Sequence, residues 1–130
     1  MIRFITACIT LFGICTLAYA EDYHVIRPLP GFICMQFALS PNQVGNPNVN
    51  VPVRDTPSMS SHVSSLAPSV IVAPAPQQPT DGFFQILLPD GQRGWVPATA
   101  VRPWKSSTNP SRRCIPSVMS NGRVAFDFQQ

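Results

Sequence analysis

Proline limits what this chain can fold into. The 130 residues include 15 prolines, the first at Pro28 and the last at Pro116. Each one fixes φ, removes a backbone donor and clashes with the preceding helical turn. Beyond the N-terminal apolar run, no stretch keeps a helical periodicity. What remains is a series of short β-type runs separated by turn residues, the pattern of an all-β sandwich or barrel.

The N-terminus reads differently. Arg3 precedes an uncharged apolar run over residues 4–17, and Ala18-Tyr19-Ala20 follows. This is the order of a secretory signal peptide with its small-residue cleavage site, and the run is short for a membrane span of ~20 residues. Cleavage after Ala20 removes Cys8 and Cys15 and leaves Cys34 and Cys114. Two cysteines in an oxidising compartment most simply form one disulfide, the alternative being two free thiols. A metal site is disfavoured, since two cysteines lack the further ligands that zinc requires. No cofactor is implied, and the expected location is periplasmic or secreted. A membrane enters only if the leader is uncleaved.

The mature chain suits one small domain. Its first β run covers residues 32–39 and carries Cys34. An Asn- and Pro-rich loop follows to Asn50, and then Val51 and Val53 lie on one face of a short strand that ends at Arg54-Asp55. Residues 57–65 are Ser-rich and read as a loop, residues 70–73 as a buried strand. Pro74, Pro76 and Pro79 make residues 74–80 an extended, polyproline-like loop. Residues 82–96 read as a hairpin: alternation sets Phe84, Ile86 and Leu88 on one face, Asp90-Gly91 turns the chain, and Gly94 allows a close approach before Trp95 packs inward. Ile86, Gly94, Trp95 and Val96 are the expected core. A 3₁₀ turn is predicted over 99–101. Asn121-Gly122 predicts a second hairpin through a two-residue turn, with Pro116 shortening the strand before it or placing it at an edge.

Residues 51–103 resemble the bacterial SH3-like (SH3b) domains. Val53-Arg54 with Pro57-Ser58 is similar to that family's opening strand and loop, Val63 and Leu66 to its next apolar pair, and Val70 and Val72 to the strand beyond. Gly82, Ile86, Leu88, Asp90, Gly91, Gly94, Trp95 and Val96 keep the spacing of its aromatic–glycine signature, with Phe83 in place of the usual first Trp. Leu87 stands at a usually polar position, Ala67-Pro68-Ser69 lacks a common glycine, and residues 74–80 lengthen one loop. The resemblance implies a small SH3-like β-barrel over 51–104, preceded by a signal peptide (1–20) and an N-terminal extension (21–50), and followed by a C-terminal extension with a β-hairpin (105–130).

Chemistry is weakly represented. His24 and His62 stand alone, no serine sits in a G-x-S-x-G elbow, and no S-x-x-K pairing occurs. A formal net charge of +3, with Arg112-Arg113 the one basic pair, does not make the basic, aromatic-interleaved stripe of a nucleic-acid binder. The expectation is therefore a non-enzymatic binding module. From the resemblance its ligands would be cell-wall peptide or glycan, with a periplasmic protein partner as the alternative. Arg54, Asp55, Phe83 and Trp104 are the candidate ligand-binding residues, together with the loop over 74–80; the alternative for Trp104 is packing against the C-terminal hairpin, and for Arg54 and Asp55 pairing or capping the loop.

Overall fold

The computed structural model describes residues 22–130; the predicted leader lies outside them. The described chain is all-β. Ten strands follow one another: β1 (Val25–Pro28), β2 (Phe32–Phe37), β3 (Pro52–Arg54), β4 (Val63–Leu66), β5 (Val70–Pro74), β6 (Phe83–Leu87), β7 (Arg93–Pro97), β8 (Val101–Pro103), β9 (Arg113–Met119) and β10 (Val124–Gln129). A 3₁₀ turn at Ala98–Ala100 separates β7 from β8. No helix among these residues is long and apolar enough to cross a membrane.

The strands form two antiparallel sheets. Seven lie in the order β4-β3-β7-β6-β5-β2-β8, and three in the order β1-β9-β10. The large sheet has free ends at β4 and β8, so it is not a closed barrel. It still encloses one core, because Val53 near one end and Val101 at the other pack in the same cluster as Met35, Ile71, Ile86 and Val96. The expected boundary at residue 51 also shifts. β2, from the segment assigned to an N-terminal extension, lies inside the large sheet between β5 and β8.

Local chemistry sets the turns. Between β6 and β7, Leu88 N donates to Gln92 O and Gly91 N donates to Leu88 O, while Asp90 Oδ1 accepts from Gln92 N. Between β9 and β10 the same three bonds recur at Met119, Gly122, Arg123 and Asn121. Gly91 and Gly122 have φ of 88° and 79°, whereas Asp90 and Asn121 are not left-handed. Both connections are thus three-residue loops, a type I turn closed by a left-handed glycine, and not the two-residue turn expected at Asn121-Gly122. A two-residue turn with both φ positive does occur, at Asp81-Gly82 (φ 50° and 81°), where Thr80 and Phe83 exchange both backbone hydrogen bonds.

Two further expectations change. Residues 63–65, read as loop, belong to β4, an exposed edge strand whose pairing with β3 is irregular near Arg54. Its two central serines hide a strand from any alternation pattern. Pro116 lies in β9, a seven-residue strand at the centre of the small sheet, rather than in a short or edge strand. Met119 pairs by hydrogen bonds with Arg123, so Pro116, three residues earlier, sits at a position that does not bond to β10. Its missing donor faces the side of β1, which ends at Pro28, and there Pro116 O accepts from Leu29 N.

Cys34 and Cys114 form a disulfide that joins β2 to β9 and so ties the two sheets together. Cys34 pairs with Val72, and Val72 with Leu87, in a row across the large sheet on the face away from the core. Cys34 and Val72 are buried there. A second tie runs from Val124 N at the start of β10 to Pro89 O in the β6–β7 loop.

Candidate functional site

The four proposed ligand residues separate in the structure. Arg54 ends β3 half-buried, and its Nη1 donates to Ser61 O at 2.7 Å. The next residue, Asp55, sets its Oδ2 3.1 Å from His62 Nδ1, with both side chains well exposed (55% and 77%). Asp55 N also donates to His62 O. These two residues brace the Ser-rich loop between β3 and β4. Phe83 is only 6% exposed and is therefore not offered to a ligand. Its backbone is held on one side by Thr80 and on the other by Pro97.

Trp95 departs from its expected place in the core. Val96 is fully buried, and a Cβ on Gly94 would lie 2.2 Å from Val53 Cγ1. Both neighbours therefore face inward, and strand alternation turns the indole between them to the opposite face. Trp95 is half-buried there, in a recess shared with the proline-rich loop.

Trp104 remains, and it lies between two open grooves. It follows β8, and its backbone N donates to Cys34 O. Its ring lies 5.3 Å from Phe128 at 44°, and Phe128 lies 6.2 Å from Phe126. Cys114 pairs with Phe128 and Pro116 with Phe126, so the disulfide fixes which face of β10 meets Trp104. Two open grooves share Pro103 and Trp104 as a common wall. One, of about 600 Å³, is lined further by Gln36, Arg102, Lys105, Ser106 and Ser107. The other, of about 460 Å³, runs beside the disulfide and carries Arg112 and Arg113 on its rim with Phe32 and Ile115.

Charge gives the region its character. Among the described residues the one ion pair is Asp55–His62, so Arg102, Lys105, Arg112 and Arg113 have no carboxylate partner there. Arg112 instead stands 5.3 Å over the Phe128 ring. Cations beside an aromatic wall and two serine hydroxyls can hold an anionic group and stack its apolar neighbour. Among the described residues no group of three His, Cys, Asp or Glu side chains is placed to hold a metal ion.

Trp104 carried a visible signal in the sequence, standing beside Pro103 and Lys105. The expected packing of Trp104 against the C-terminal hairpin is seen at Phe128, whereas which hairpin residue it meets, and the approach of Arg112, depend on the Cys34–Cys114 bridge and the register of β9 with β10. No protein-family model, curated protein or solved structure matches this chain.

Proposed function

We propose that the protein is a non-catalytic, SH3b-like binding module that acts outside the cytoplasm, in the periplasm or secreted, and recognises cell-wall peptide or glycan through the grooves around Trp104. One observation carries this reading: four cations with no carboxylate partner among the described residues border two grooves that share a single indole wall. Wall peptides present free carboxylates on a backbone with small apolar side chains, and both parts have a counterpart here. The disulfide is compatible with an oxidising, extracytoplasmic setting.

Sedimentation with purified peptidoglycan tests it. The protein should pellet with the wall material, Trp104→Ala should stay in the supernatant while remaining folded by circular dichroism, and binding should weaken as salt rises, because exposed charges are screened. Equal pelleting by wild type and Trp104→Ala would overturn the assignment of the grooves.

The second reading, an adaptor that binds a periplasmic protein, is favoured by the free edge of β4. Val63 and Leu66 are 41% and 57% exposed there, and the outer backbone groups have no strand partner in the sheet. Retention of one discrete protein from a periplasmic extract, with no wall binding, would decide for it.

A further inference from the structure

Trp104 has a guanidinium on each side. Arg102 pairs with Gln36 across β8 and β2, and Trp104, two residues on, is tied to Cys34 through its backbone N. Val101 and Pro103 alternate with them and oppose Phe37 and Met35, and Val101 and Met35 are buried in the core. Strand alternation therefore sets Arg102 and Trp104 next to each other on the outer face, where both line the larger groove. Arg112 lines the other groove and is held 5.3 Å over the Phe128 ring, which lies against Trp104. Both arginines are exposed. Among the described residues the arginine side chains that donate hydrogen bonds are Arg54 and Arg93, so the N–H groups of Arg102 and Arg112 have no acceptor there.

We propose, as a deepening that rests on the wall-binding reading, that the two grooves act together on one peptide with two carboxylates. Its chain crosses Trp104, with one carboxylate at Arg102 and the other at Arg112. A carboxylate takes two parallel N–H bonds from a guanidinium, so each arginine suits one such group. Two cationic points divided by an apolar wall match a ligand whose own charges are divided by an apolar stretch. A compact single anion would reach one groove only. Neither groove is lined by Asp or Glu, so a cationic ligand group finds no counter-charge and a net-negative peptide is preferred. A wall stem peptide has this form: one carboxylate at its C-terminus, another on the glutamate that is linked through its side chain, and small apolar residues between them.

The test is a titration of the disulfide-bonded, ¹⁵N-labelled protein with N-acetyl-L-Ala-γ-D-Glu-L-Ala-D-Ala. The same peptide amidated at the glutamate α-carboxylate, at the C-terminus, or at both is titrated in parallel. The Trp104 indole signal should move and saturate at one peptide per protein, while the Trp95 indole stays in place. Each single amide should bind about tenfold more weakly, the lower end for a hydrogen bond to a charged group, and the double amide should leave the Trp104 signal unmoved. In Arg102→Gln one of the two amidations should lose its effect, and in Arg112→Gln the other, with both variants folded by circular dichroism. The two-point seat is overturned if either single amide binds like the diacid, or if both variants silence the same amidation. Sedimentation with whole peptidoglycan separates this ligand from the reading beneath it. Trp104-dependent pelleting with no response to the diacid peptide removes the ligand and leaves wall binding standing, whereas absence of both removes both.

Discussion

Gly94 sets how closely β7 can lie against β3. A methyl group there would meet Val53 Cγ1 at 2.2 Å, and Val53 is fully buried, so it has little room to move. Gly94→Ala should lower stability in urea by about 1–3 kcal/mol, the usual cost of overpacking. Combining it with Val53→Ala should return part of that loss, since the two side chains compete for one space. The same parity explains Trp95. The glycine and Val96 own the inward positions, so the largest side chain of the hairpin points out. Ile86→Ala should cost about 2–5 kcal/mol as a core truncation. Trp95→Ala should cost less than Ile86→Ala in the same urea titration, although a fully buried Trp would cost more, about 3–5 kcal/mol. Alternation was legible for Phe84, Ile86 and Leu88 because three apolar residues share one parity. It misled at Trp95 because a glycine hides its own facing, and the eye assigns the core to the larger neighbour.

Among the elements, the hairpins were legible and the sheet order was not. Asp90-Gly91 and Asn121-Gly122 write their reversals within five residues, and each glycine sits in the left-handed region. A non-glycine residue there costs about 1–2 kcal/mol, so Gly122→Ala should destabilise by that amount. Hydrogen exchange should show the effect first at Met119 and Val124, whose amides border the loop. By contrast, β2 reaches its neighbours from afar: Phe32 pairs with Pro74, and Met35 with Pro103. No local pattern in residues 32–37 records those partners, and for that reason the segment looked like an appendage. β4 was missed for a related reason. An edge strand with both faces exposed has no burial requirement to impose alternation on its sequence.

In the molecule as a whole, the Cys34–Cys114 bridge is a covalent cross-link between two sheets that otherwise meet through the connecting chain, side-chain packing and the Val124–Pro89 backbone bond. Its loop spans 80 residues of sequence, and closing it is worth on the order of 4 kcal/mol in the chain-entropy model. Reduction, or Cys34→Ser with Cys114→Ser, should lower the urea midpoint accordingly. It should also loosen Phe128 from Trp104, visible as a change in the indole signal before global unfolding. An unchanged midpoint would mean that the packing between the sheets suffices alone. The cysteine pairing was accessible from the sequence by elimination; what it brings together, the aromatic wall of the grooves, required the register of β10.

The bridge has a mechanical consequence as well. β3 through β8 lie entirely within the covalent loop, while β1 and β10 lie outside it. Tension applied to the two ends of the chain therefore passes through the sulfur–sulfur link and around the large sheet. Under pulling, β1 and β10 peel away first, and extension stops at the cysteines. Most of the large sheet would stay folded under a load that had already unravelled the small one.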